Sequence, residues 1–251
     1  MKVSIITVSY NAVDTIEDTI RSVLAQDYPN LEYILVDGAS TDGTLKIIEQ
    51  YRSSIHKVVS EPDSGVYDAM NKGIALAEGH VIGILNADDT YSGNQIVSQV
   101  ADFLQKQDID SCYGDLKYVD RKIPEKVTRS WKSGAYRRSK FRYGWMPPHP
   151  AFFAKRQLYD TYGNFHTELK TSADYELMLR FLYRYGASSG HIPTVLVNMK
   201  TGGQSNASFS NRMAANREDR KAWELNGLKP PFFTTYLKPF RKIFQFIGPR
   251  T

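Results

Sequence analysis

Short apolar runs alternate with amphipathic stretches through the first half of the chain. The runs at Val3–Ser9, 31–36, Lys57–Ser60, 81–85 and 110–114 have the length and composition of strands. Between them, Ile16, Ile20, Val23 and Leu24 recur at i, i+4, i+7 and i+8, and Val66, Met70, Ile74 and Ala77 follow nearly the same spacing. A further helix is predicted at about 95–105. Strands that alternate with helices predict an open, mostly parallel α/β sheet flanked by helices, and such sheets bind ligands beyond the carboxyl ends of their strands.

The second half reads differently. A Trp-, Tyr- and Arg-rich segment spans 131–145, and a rigid Met-Pro-Pro-His-Pro follows at 146–150. Helix periodicity then returns at 173–185, with Tyr175, Met178, Leu179 and Leu182 as its apolar stripe. The loop 201–206 leads to a polar helix near 210–225, and the chain closes on aromatics interleaved with cations at 232–247. No internal repeat or low-complexity linker interrupts this order, and 251 residues suit one principal domain.

Charge and cysteine count narrow the setting. The net charge is +5, with cations gathered toward the C-terminal half, as in Tyr136-Arg137-Arg138-Ser139-Lys140. That asymmetry suggests an anionic partner without choosing its class. The single cysteine, Cys112, excludes an internal disulfide and a cysteine-based zinc site, which fits a reducing compartment. The first residues are too short an apolar run for a secretory signal, and no stretch reaches the roughly 18 apolar residues of a membrane span. The expectation is a cytoplasmic protein, soluble or peripheral on the membrane's inner face.

Candidate chemistry clusters after the strands. Asp37 ends the second run and precedes Gly38-Ala39-Ser40-Thr41-Asp42-Gly43-Thr44. A carboxylate there can accept hydrogen bonds from a ribose or base, while Ser40, Thr41 or Asp42 could cap the next helix. The glycine spacing resembles a phosphate loop but lacks its Lys-Ser/Thr, and Ser9-Tyr10-Asn11 lacks a dinucleotide-binding fingerprint. An NTPase and a dehydrogenase both lose their main support. Asp88 and Asp89 stand side by side after the fourth run; they would repel unless a hard divalent ion lay between them and an anion such as a diphosphate. The alternative is a solvated acidic loop.

Asp63, Asp68, Asn71 and Lys72 gather around the start of the second helix, where donor binding competes with ordinary capping. Asp174 opens the later helix; from position alone it is a first-turn acid that complements the helix dipole, with Thr171 as cap. His149, fixed between prolines, could meet an acceptor or phosphate or be structural. The tail at 232–247 suits an anionic membrane interface or a helix packed on the core.

Taken together, these motifs resemble the family 2 glycosyltransferases of GT-A (nucleotide-diphospho-sugar transferase) fold, in particular the bacterial branch of colanic-acid-type exopolysaccharide and O-antigen transferases. The resemblance runs from Val3 through Asp37, the 60–73 segment, Leu85-Asn86-Ala87-Asp88-Asp89, His149-Pro150-Ala151-Phe152-Phe153 and Ser172-Ala173-Asp174-Tyr175-Glu176-Leu177 to Gly202-Gly203-Gln204-Ser205. It implies a nucleotide-sugar-binding α/β half over residues 1–115, an acceptor-binding half over 116–228, and a helical C-terminal extension with the basic aromatic tail at 229–251.

The same resemblance implies nucleotide-sugar contacts at Val8, Tyr10, Asp37, Asp63, Asp68, Asn71, Lys72 and Asp88. It also implies a Mn or Mg ion on Asp89 and Asp88, and Asp174 as general base in an inverting transfer. A UDP-sugar is the favoured donor, a lipid-linked oligosaccharide the expected acceptor, and nucleic acid is not an expected partner. Asn86 departs from the pattern, in which an aspartate is common. Two rivals remain at this stage. A sugar nucleotidyltransferase would want a glycine- and arginine-rich loop after the first strand. A non-catalytic glycan- or polyanion-binding subunit would use the basic region 129–142.

Overall fold

The computed structural model describes residues 1–202, 209–231 and 234. The tail expected at 232–247 and most of the 201–206 loop lie outside the described residues. Four parallel strands, β1 (Val3–Ser9), β2 (Leu31–Asp37), β3 (Lys57–Ser60) and β4 (Val81–Asn86), form one half of a mixed sheet in the order β3-β2-β1-β4. Three helices connect them: α1 (Ile16–Leu24), α2 (Thr44–Gln50) and α3 (Val66–Leu76).

Past β4, a short β5 (Asp89–Tyr91) and helix α4 (Ile96–Gln107) lead to β6 (Ser111–Val119) and its hairpin partner β7 (Val127–Trp131). β8 (Phe152–Lys155) then inserts antiparallel between β4 and β6. Helices α5 (Arg156–Tyr162) and α6 (Ala173–Met178) follow, then β9 (Ser189–Lys200) and α7 (Phe209–Leu225). β9 runs parallel to β6 and antiparallel to β5.

Alternation along β1 feeds two cores. Val3 and Ile5 pack on the α1 and α4 side, whereas Ile6 and Val8 face α3 and the aromatics of the second half. The stripe of α1 is as the spacing predicts: Ile16, Ile20 and Val23 are buried. In the stripe of α3, Met70, Ile74 and Ala77 are buried as the spacing predicts, but at its first position Tyr67 is buried while Val66 is 45% exposed. The predicted 173–185 helix is present, but from Leu179–Arg184 it widens into π-helical turns.

A buried acid anchors the opposite edge of the sheet from the site. Glu32 on β2 accepts hydrogen bonds from Ser4 Oγ (2.5 Å) and the Glu78 N–H (2.8 Å), and pairs with Lys2 (3.2 Å) and Lys57 (3.3 Å). Burial alone would raise its pKa, but these donors outweigh it and hold the carboxyl at about 2. A depressed folded pKa gives stability that is present above the ordinary glutamate value and lost as pH falls through about 2. Glu32→Gln is expected to cost about 2–3 kcal/mol at pH 7 and to flatten the acid limb of stability below pH about 4.5, as read by urea unfolding across pH.

Candidate active site

Register sets the site. Parallel pairing aligns Ser9 with Asp37 and Asp37 with Ser60, and Val8 with Asn86, so the four strands end together. The loops that leave this edge are laced to one another. Asn11 donates its N–H to Ser40 Oγ (2.9 Å), Asn11 Oδ1 accepts from Thr41 N–H (2.9 Å), and Ala12 N–H donates to Thr44 Oγ1 (2.8 Å). Asn11 and Ala39 both take positive φ, 47° and 59°, a cost that non-glycine residues bear where surrounding contacts hold them. The start of α2 is served by Asp42, whose Oδ1 accepts from Thr44 N–H (3.0 Å).

Asp37 is fully buried. Its carboxylate accepts from Ser9 Oγ (2.9 Å), Ser60 Oγ (2.9 Å), and the N–H (2.9 Å) and Oγ (2.5 Å) of Ser40. The acid therefore clasps three loops, and its oxygens are already engaged within the chain. Next to it, Gly38 makes room for two expected site residues: a Cβ there would stand 2.4 Å from Asp63 Oδ2 and 3.3 Å from the Tyr10 ring. Tyr10 is 61% exposed, so an aromatic face stands open beside the Asp63 carboxylate. Val8 is buried in β1 below it.

Around the first turn of α3 the polar groups have partners inside the chain. Asp63 Oδ1 accepts from Gly65 N–H (2.8 Å), and Asp68 accepts from Ser64 N–H (3.0 Å), so both acids brace the turn as caps do. Lys72 bonds Pro62 O (2.8 Å) and Glu61 (2.8 Å). Asn71 brackets the Phe165 backbone in both directions, each bond 2.9 Å. In this geometry Asn71 and Lys72 shape loops; the open groups are Tyr10 and the exposed rim of Asp63 and Asp68.

Asp88 and Asp89 turn from β4 into β5. Thr19 Oγ1 pins the Asp89 carbonyl (2.8 Å), and Asp89 Oδ2 accepts from Asn86 Nδ2 (3.0 Å). Asp89 Oδ1 is buried with no hydrogen-bond partner. Burial, then the Asp88 charge, push the Asp89 pKa well up; burial also raises that of Asp88, against the nearby charges of Arg121 and Lys200. An orphaned carboxylate oxygen next to a second acid fits a divalent cation, which takes one or two carboxylates and completes its shell with substrate phosphate and water. No cluster of three or more His, Cys, Asp or Glu side chains suited to a metal occurs among the described residues.

Asp174 stands in the first turn of α6, whose N-cap is Ser172 rather than Thr171. Thr171 is used otherwise: its N–H (2.7 Å) and hydroxyl (2.8 Å), together with the Lys170 N–H (3.0 Å), bond Glu218 of α7. Tyr67 Oη donates to Asp174 Oδ1 at 3.2 Å, which ties α3 to α6. The Tyr67 ring stacks on Phe165 at 5.5 Å, and Phe165 in turn meets His149 edge-on at 6.0 Å. His149 Nε2 is buried without a partner. Burial lowers the His149 pKa, opposed by Asp174, so the imidazole is neutral at pH 7.

Sequence reasoning missed Tyr67, Phe165 and Arg180. Arg180 is buried, pairs with Glu176 at 2.8 Å, and donates to the carbonyls of Tyr162, Gly163 and Asn164, which fixes the loop that carries Phe165. An i,i+4 Glu-Arg pair inside an apolar stripe was the available signal. The basic region 129–142 is partly engaged within the chain. Arg129 lies 4.2 Å over the Tyr118 ring, Arg138 Nε bonds Tyr183 O (2.7 Å), and Lys140 Nζ bonds Ala135 O (2.7 Å). Lys132, Arg137 and Arg142 of the same region are exposed.

The model of glycosyl transferase family 2 matches residues 4–165. The chain belongs to that family. A putative teichuronic acid biosynthesis glycosyltransferase of Bacillus subtilis is 42% identical over 107 residues, 41% of this chain and 42% of that protein, so the chain spans less than half of that relative. Staphylococcus aureus TarS 1–349 in complex with UDP-GlcNAc superposes with TM-score 0.71 at 21% identity, over 90% of this chain and 65% of that one. A mannosyltransferase of Pyrobaculum calidifontis, in complex with GDP-Man and Mn2+, does so with TM-score 0.66 at 19% identity, over 95% and 69%. At these identities the superpositions establish the GT-A fold. Membership of family 2 sets the chain apart from the nucleotidyltransferase rival.

Proposed function

We propose that this glycosyltransferase moves a sugar from a nucleotide diphosphate donor, a UDP-sugar first among candidates, to a glycan acceptor by a single displacement with inversion. The observation that carries the reading is the strand-end pair Asp88 and Asp89, with the orphaned Asp89 Oδ1, in a family 2 chain. Tyr10 would offer its open face to the base, with Asp63 beside it at Gly38 and Asp68 at the start of α3. A Mn or Mg ion held by Asp88 and Asp89 would neutralise charge on the departing diphosphate.

Asp174 takes the proton of the acceptor hydroxyl. The acceptor oxygen forms its bond to the anomeric carbon as the bond from that carbon to the phosphate oxygen breaks, and the nucleotide diphosphate leaves with the electron pair. His149 Nε2, buried in the free protein, would meet an acceptor hydroxyl only where acceptor binding uncovered it; an uncharged imidazole is a poor phosphate clamp. The relative named for teichuronic acid biosynthesis supports a bacterial glycan as the product, and a lipid-linked oligosaccharide is the acceptor we propose for it. No helix among the described residues is long and apolar enough to cross a membrane. The basic aromatic sequence of the tail is our reason for placing the enzyme's work in peripheral contact with the inner face of the cytoplasmic membrane.

The test is a panel of UDP- and GDP-sugars incubated with Mn and water as the acceptor. One donor is expected to release its nucleotide diphosphate, and the freed sugar of an α-linked donor is expected to appear first as the β anomer by proton NMR. An α anomer first would contradict the single displacement.

A further inference from the structure

Resting on the reading of Asp174 as base, we infer that Tyr67 is its positioning residue: the phenol holds one carboxylate oxygen so that the other is presented to the acceptor hydroxyl. The hydrogen bond from Tyr67 Oη ends on Asp174 Oδ1, 3.2 Å away, and joins two elements 107 residues apart in sequence. Tyr67 is only 9% exposed. Burial and the adjacent Asp174 charge both push its pKa up, so it remains a protonated donor through the working pH range.

The ring has little freedom to turn away. It stacks on Phe165, whose backbone is clamped by Asn71 from α3, and the same loop is tied by Arg180 from the far side. The hydroxyl also meets the Asp174 backbone, so it fixes the first turn of α6 together with the carboxylate that the turn carries. A held carboxylate loses less orientational freedom on reaching the transition state, which is where such a contact acts.

Tyr67 also belongs to the first turn of α3, directly before Asp68 and beside the Asp63–Gly65 turn proposed for the donor. Donor seating and base orientation thus share one helical turn. The other ionisable groups whose charge is felt at this pair are His149, buried and neutral, and Glu218, fixed by the Lys170 and Thr171 N–H groups.

Tyr67→Phe keeps the ring stack and removes only the hydroxyl, so the melting temperature serves as the control for folding. In protein with carbon-13 labelled aspartate, the Asp174 Cγ resonance at pH 7 is expected to shift in Tyr67→Phe, because the phenol bonded to Oδ1 is gone. With UDP-GlcNAc as probe and water as acceptor, kcat is expected to fall about tenfold while KM stays unchanged. The resonance is read without substrate. An unshifted resonance overturns the inference, whatever the rates. A shifted resonance with an unchanged kcat also overturns it, because the contact would then be structural only. Asp174→Asn assayed in parallel separates the two levels: retained turnover there removes the base reading itself, whereas lost turnover with a wild-type Tyr67→Phe removes only the role given to Tyr67.

Discussion

Asp174→Asn is expected to lower transfer by about 10²–10⁴-fold, the usual contribution of a positioned general base. That corresponds to about 3–5 kcal/mol of barrier. Asparagine has nearly the shape of aspartate and its carbonyl oxygen can still accept from Tyr67 Oη, so the contacts among Tyr67, Phe165 and His149 should survive. Donor affinity should stay within about twofold, because the group lost acts on the acceptor's proton and not on the nucleotide. Turnover and donor binding measured on the same preparation check both halves. Weakened donor binding with normal turnover would assign Asp174 to the donor side instead.

The second large effect is expected at Asp89, and it has two opposite signs. Without metal, a buried carboxylate with an unpartnered oxygen is a cost to the fold. Its raised pKa makes this explicit: the folded state holds the proton more tightly than the unfolded one. Stability from this group is therefore full below the ordinary aspartate value and is lost as pH rises through the folded pKa. Asp89→Asn removes the charge and keeps the size. The metal-free variant should melt several degrees higher than the metal-free wild type at pH 7. In the presence of Mn and UDP the order should reverse, since the wild type gains ligation energy and the variant does not. Nucleotide affinity of the variant should fall by about 100-fold or more, given that even outer contacts of a metal site are worth 10–100-fold. Melting curves with and without Mn and UDP, and Mn titrations followed by paramagnetic resonance, check these signs.

The parallel half of the fold was legible because its strands are rich in apolar residues and α1 and α3 between them carry a helical period. The strands of the second half were not. β8 spans four residues and derives its place from neighbours on both sides rather than from a pattern of its own. β9 contains Pro193, which argues against a central strand; the structure accommodates it where the register with β6 shifts, between the pairs Tyr113–His191 and Asp115–Val195. β5 is three residues long and begins on Asp89, a residue read from sequence only for its charge.

The site shows the same division. Acids at strand ends could be placed because period and topology fix where a strand stops. Asp37 could be found but not its state: three serines from separate segments fill its oxygens, and no local pattern announces that. Asn71 bonds a backbone 94 residues away, a contact that its place in the motif does not reveal. Tyr67 adjoins Val66 at the head of the predicted stripe, and the contacts with Phe165 and Asp174 decide that Tyr67 turns inward. Each of these rests on contacts between distant segments, which periodicity does not encode.

The most direct measurement is a calorimetric titration of the protein with UDP and with GDP, each in the presence and absence of Mn. Binding of one nucleotide that requires the metal is the predicted result. Absence of binding by either nucleotide with Mn present would contradict the account at its centre, the seating of a nucleotide diphosphate against Asp88 and Asp89.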